Sequence, residues 1–149
     1  MLIEFEHQFD CAVDHAYAFF RTPRDWPKLF GAFGEVEDRG EGWYAVPLRR
    51  FPFPLVAKIT RDEPLRLVEW ELRGFWQGRG QVTFTPIDRG VVIRGYERIS
   101  PKALGFLAPL VEPFLEKRFH RVWESGWRRL RREAANRATP EDEAGGAIP

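Results

Sequence analysis

A single cysteine, Cys11, removes two chemistries from this 149-residue chain at once. It has no partner for an internal disulfide, and one thiolate is too few for a cysteine zinc cage. No stretch approaches the roughly 18 consecutive apolar residues of a membrane-spanning helix, so no integral membrane segment is expected. Charge of neither sign prevails: 23 Lys and Arg against 22 Asp and Glu leave a net charge of +1. The chain as a whole therefore has no electrostatic bias toward nucleic acid. The signatures of fixed spacing are missing too, with no GxSxG elbow, Walker loop, complete GxGxxG fingerprint or HExxH. The glycine-rich run "GAFGEVEDRGEG" does not join a strand to a helix and reads as loop and hairpin. The start "MLIEFEHQFD" has acids at alternate positions and no basic n-region, so a cytoplasmic protein is expected.

Rings are abundant. Phe occurs 13 times and Trp 6 times, and aromatics make up 15% of the chain. That share favours large apolar contacts or a cavity lined with rings, and the length suits one domain with a real core. The rings sit in periodic segments. Ile3, Phe5, His7 and Phe9 share one face of an alternating strand. Asp14 is placed to cap a helix through "HAYAFFR", and "PRDWPKLFG" reads as a second short helix. "EVED" and "GWYAVPLRR" flank the hairpin signal "RGEG". "PLVAKITR", "LRLVEWELRG", "GRGQVTFTP" and "VVIRGYERI" alternate in turn, with Val68, Trp70 and Leu72, then Val82 and Phe84, then Val91 and Ile93 facing inward. One-sided alternation with short connections argues for an antiparallel sheet covered on one face. After Pro109 and Pro113 a long helix is expected to about Asn136, with Phe114, Leu115, Phe119, Val122, Trp123, Trp127 and Leu130 as its apolar residues. The run "ATPEDEAGGAIP" lacks periodicity.

This order of segments resembles the helix-grip superfamily, which includes START-related lipid-transfer domains, birch-pollen-allergen-like proteins and bacterial polyketide cyclase/dehydrase-like proteins, together called SRPBCC. "FEHQFDCAVDHAYAFFRTPRDWPKLFGAFGEVE" is similar to that family's opening. "LRLVEWEL", "GRGQVTFTPIDRGVVIRGYERI" and "LEKRFHRVWESGWRRLRRE" stand where it has meander hairpins and a closing helix. The resemblance implies an α+β helix-grip fold: a curved antiparallel sheet of about seven strands around a long C-terminal helix, with two short helices after the first strand. It places a ligand-binding domain at 1–136 and leaves 137–149 as a disordered tail. It also implies a cavity between sheet and helix for a small hydrophobic molecule such as a lipid, quinone or aromatic polyketide. No catalytic residue carries over, and no cofactor is expected.

The expected lining is Phe5, His7, Trp70, Leu72, Val82, Phe84, Ile93, Glu97, Phe114, Leu115, Phe119, Val122 and Trp123, with Gly78 and Gly80 leaving room beside them. Glu97 stands out because it shares its register with apolar residues. A buried carboxyl with a raised pKa can act as general acid/base or anchor a ligand hydroxyl. Against this, Gly95 can seat a bulge that turns Glu97 outward, or the strand end can fray, and the glycine favours that outcome. If Ile99 lies near Met1, His7 sits opposite Ile93, roughly 13 Å along the strand from Glu97. Tyr44 is a third polar candidate for a cyclase, dehydratase or hydrolase. His7, Cys11 and His15 straddle a strand, a break and a helix start, so no metal site is expected. The basic run "GWRRLRRE" suits a helix C-terminus and has glutamate partners nearby, so no nucleic-acid partner is expected. The loop "RRFPFPL" (49–55) is a candidate for homodimerisation or partner docking.

Overall fold

The alternating segments become one sheet. The computed structural model describes the backbone of residues 1–145 and the side chains of residues 1–136. The tail expected over 137–149 falls on residues whose side chains lie outside that description, and residues 146–149 lie outside it altogether. Strand β1 (Leu2–Phe9) is followed by helix α1 (Val13–Tyr17), a 3-10 turn (Pro23–Asp25) and helix α2 (Trp26–Leu29). Then come β2 (Glu37–Gly40), β3 (Trp43–Val46), β4 (Leu55–Glu63), β5 (Leu67–Arg73), β6 (Gln77–Ile87) and β7 (Gly90–Ser100). A second 3-10 turn (Lys102–Leu107) leads into helix α3 (Ala108–Gly145). The seven strands form a single antiparallel sheet in the order β1-β7-β6-β5-β4-β3-β2. The sheet is open and curved, and its inner face packs against α3 in the α+β helix-grip arrangement.

Hydrogen bonds set the β1–β7 register at its open end. The N-terminal ammonium of Met1 donates to the Ile99 carbonyl at 2.9 Å, and the Ile99 amide donates back to Met1 at 3.0 Å. His7 consequently stands opposite Ile93. Because facing residues share a side of the sheet, this one register sends Ile3, Phe9, Val91, Ile93, Glu97 and Ile99 inward together.

Two expected helix starts move. The residue before α1 is Ala12, with no side-chain cap, and Asp14 falls in the first turn, where its negative charge still suits the helix dipole. Helix α3 begins before both prolines rather than after Pro113. Pro109 sits in its first turn, where no amide bond is owed. Pro113 costs only the bond to the carbonyl four residues back, at the very start of a 38-residue helix.

The phase of α3 corrects one lining residue. Phe119, Trp123, Trp127 and Leu130 recur at steps of four, four and three and are all buried. Each adds about 2 kcal/mol by leaving water. Phe114 lies five residues before Phe119, about 140° around a helix of 3.6 residues per turn, and is 75% exposed. Its apolarity looked like core because its distance from Leu115 and Phe119 mixes two faces. Leu110 lies four residues before Phe114 on the same outer face and is exposed with it, as is Phe106 in the preceding turn. At Gly126 a Cβ would lie 2.4 Å from the Phe30 ring, so the missing side chain seats the end of α2 against α3. In denaturant titrations, Phe114→Ser is expected to change stability by no more than about 0.5 kcal/mol. Phe119→Ala is expected to lose about 3–5 kcal/mol; equal losses would contradict this helix phase.

Candidate functional site

Three neighbouring strands bring Trp70, Gly80 and Glu97 into one row. Trp70 on β5 faces Gly80 on β6, and Gly80 faces Glu97 on β7. A Cβ at position 80 would lie 2.2 Å from the Trp70 ring. The indole therefore occupies the space that a side chain at 80 would take, and its Nε1–H donates to Glu97 Oε2 at 3.2 Å. From the opposite side Trp123 of α3 donates its Nε1–H to Oε1 at 3.4 Å. One carboxyl is thus held between an indole of the sheet and an indole of the helix.

Glu97 is 5% exposed and is the one buried polar or charged side chain among the described residues. Burial pushes its pKa from the ordinary 4.5 up to about 7, while the two indole bonds pull it partly back. The expectation that Gly95 turns Glu97 outward is overturned. Strand β7 keeps unbroken register through Gly95 with both β1 and β6. The glycine serves close packing instead: a Cβ there would meet the Gln81 carbonyl oxygen at 2.0 Å and the Phe5 ring at 2.8 Å.

Beside the carboxyl lies a void of about 20 Å³, room for about one water molecule. Five of the expected residues line it: Trp70, Glu97, Phe119, Val122 and Trp123. The other wall was not foreseen and comes from Phe20, Trp26, Phe30, Phe33 and Leu55. Four of these are rings around the two short helices, and their density in residues 20–33 was the available signal. The room expected at Gly78 and Gly80 is not there. Trp70 fills one position, and the Arg98 carbonyl oxygen would lie 1.8 Å from a Cβ at the other.

The remaining expected residues separate. Leu72, Val82, Phe84 and Ile93 are buried in the core away from the void, and Leu115 packs partly against it. Phe5 stacks on Trp123 with ring centroids 4.6 Å apart. His7 lies farther along β1, within 3.0 Å of an Arg131 guanidinium nitrogen through Nδ1 and against the Trp127 ring. Burial, then Arg131, lower its pKa, while Glu124 opposes them. Tyr44 faces Ala57 on the inner side, with the Arg24 guanidinium over its ring at 5.3 Å. Neither joins Glu97, so any proton chemistry here falls to one carboxyl. Among the described residues no group of three His, Cys, Asp or Glu is placed to hold a metal, and no helix is long and apolar enough to cross a membrane.

A larger groove of about 400 Å³ opens between α3 and the chain on either side of the β2–β3 pair. Its walls are Gly31 and Ala32, Leu48 to Phe51, and Arg118, Arg121, Val122 and Ser125. Val122 borders both groove and void. Phe51 meets Trp76 edge-on at 5.7 Å, and Trp76 meets Phe119 likewise at 5.2 Å, so a run of rings links the groove wall to the core. The rings of the "RRFPFPL" loop are engaged by their own chain, since Phe53 also stacks on Phe75 at 4.0 Å.

The family described as polyketide cyclase / dehydrase and lipid transport matches residues 2–135. No curated protein matches the chain. A conserved protein from Geobacillus kaustophilus is similar in structure, with a TM-score of 0.68 at 13% identity over 91% of this chain and 96% of that one. A START superfamily protein from Mycobacterium smegmatis gives 0.66 at 6% identity, over 87% and 96%. The di-domain ARO/CYC StfQ from the steffimycin biosynthetic pathway gives 0.63 at 18% identity, over 93% of this chain and 52% of that one. At these identities the structural likeness is one of fold.

The pKa of Glu97 predicts a pH dependence with a definite sign. Between 4.5 and about 7 the folded chain keeps a proton that the unfolded chain has lost. The contribution is therefore full below 4.5 and is lost as pH rises through about 7, roughly 3 kcal/mol in all. Glu97→Gln is expected to remove this slope from the unfolding free energy measured across that range, and parallel profiles would contradict it. Gly80→Ala is expected to lose about 1–3 kcal/mol by driving Trp70 off the carboxyl, with the Trp70 indole resonance shifting in NMR spectra.

Proposed function

Because the chain belongs to the polyketide cyclase, dehydrase and lipid-transport family, we propose that it holds a small hydrophobic molecule, such as a lipid, quinone or aromatic polyketide, between the sheet and α3. The observation that carries this reading is the Glu97 carboxyl. It stands in a wall of rings, with no ion pair among the described residues, and two indole N–H groups are its hydrogen-bond partners. A core built for stability alone gains nothing from an acid there, because desolvation outweighs two neutral hydrogen bonds. A bound hydroxyl can take an indole's place as donor to this group, and a bound carbonyl can accept from its protonated form, which gives the acid a use.

Ligand pockets run to about 300–1,000 Å³, far above the void of about 20 Å³. The reading therefore requires a second, open state that the ligand favours over the closed one. The walls suited to move are those around α1 and α2, helices of five and four residues that have little stability of their own. Opening at Val122 joins the void to the groove.

One observation favours a second reading, a cyclase or dehydratase. A carboxyl titrating near 7 can both give and take a proton at neutral pH. Glu97 would then work alone, with His7 and Tyr44 in no catalytic role.

Native mass spectrometry against lipids, quinones and aromatic polyketides, with tryptophan fluorescence as a second readout, tests the binding reading. At least one class is expected to add a bound mass and change the emission of Trp70 and Trp123. That change is expected to shrink in Trp123→Phe. The absence of binding across all three classes would sink the proposal.

A further inference from the structure

The groove beside the void has a chemistry of its own. Arg49 and Arg50 reach it from the chain after β3, and Arg118 and Arg121 from successive turns of α3. Among the described residues no carboxylate lines it. Arginine ion pairs among the described residues engage Arg24, Arg39, Arg61, Arg66, Arg94 and Arg129, and none of these four. Of the three glutamates in the first half of α3, Glu112 engages Ser100 and the N-terminal ammonium, Glu116 pairs with His120, and Glu124 acts on the charge of His7. Arg118 already lies over the Phe51 ring at 5.5 Å, which holds one guanidinium at the groove wall. Leu48, Phe51 and Val122 make the rest of that wall apolar. Four like charges converging on one concavity repel one another, and a bound anion relieves the repulsion. Planar guanidinium groups suit carboxylate and phosphate oxygens in two-point contacts.

We infer that the ligand is an amphipathic anion, with its carboxylate or phosphate head on Arg49, Arg50, Arg118 and Arg121 and its apolar body directed past Val122 toward the rings around Glu97. The inference rests on the binding reading above and adds the charge of the ligand and its polarity in the site. Glu97 supports that direction. A negative head placed beside a buried carboxyl would be repelled, so the acid end belongs at the arginines and the neutral end at Glu97.

The test uses probes of one chain length: decanoate, decyl phosphate and decan-1-ol, titrated into the full chain with tryptophan fluorescence and calorimetry. At least one acid is expected to bind about tenfold more tightly than the alcohol, and whichever acid binds better names the head group. The advantage is expected to fall with added salt and to disappear in Arg118→Gln/Arg121→Gln and in Arg49→Gln/Arg50→Gln. It is expected to persist in Arg128→Gln/Arg132→Gln, which changes the same helix outside the groove. These residues are exposed, so the variants keep their fold, and thermal melts verify it. Equal binding of acids and alcohol overturns the inference and leaves the binding reading standing. So does an acid preference that survives both groove variants, or binding of neutral quinones or polyketides with none of the acids. Failure of every probe and every class in the wider panel removes the binding reading, and the inference with it.

Discussion

The interior of this protein is organised around one uncompensated acid. Burying a carboxyl among rings is unfavourable, and two indole N–H groups return only part of what hydration gave it. Much of the surrounding geometry follows from bringing those donors to it. Trp70 must cross β6, so position 80 can carry no side chain. Trp123 must face the sheet, which fixes the rotation of α3 and with it the burial of Phe119, Trp127 and Leu130. The β1–β7 register, closed by Met1 and Ile99, keeps Glu97 inward. The Trp123 bond joins sheet to helix, so the group that costs stability also couples the two layers.

That coupling gives the binding proposal its physical shape. The rings close over the acid so well that what remains is about 20 Å³, while the open groove next to it is about twenty times larger. A protein with an empty permanent cavity would bear the cavity's energetic cost throughout its life. Here the space is occupied by side chains of the protein itself, from short elements able to yield it. On the proposed reading, the helix-grip architecture holds a closed resting state beside a basic groove.

The sheet was legible because its signal is local: period-two alternation needs no knowledge of the rest of the chain. The β1–β7 pairing was legible once Ile99 was set beside Met1, and the distance of His7 from Glu97 followed. The helix was legible as a long amphipathic element but not in its bounds, Ala108–Gly145, nor in phase at its start, where Phe114 and Leu115 offer apolar residues on two faces. The direction of Glu97 depended on whether β7 bulges at Gly95, and a glycine's conformational freedom does not reveal which freedom is used. The volume of the cavity was beyond sequence reasoning for a related reason. Gly80 advertised space, but the ring that fills it comes from the adjacent strand and is visible only when β5 and β6 are laid side by side. The wall of Phe20, Trp26, Phe30 and Phe33 was hidden because irregular segments carry no periodicity to say where their rings point.

The dependence of position 80 on Trp70 has a consequence for how such a chain can change over time. A side chain cannot be added at 80 while the indole lies across it, and losing the indole alone leaves Glu97 with one donor in a dry interior. Neither substitution is neutral first, so the row behaves as a single heritable unit of three positions spread over three strands. A relative that carries a side chain at position 80 has had to settle its buried acid by other means.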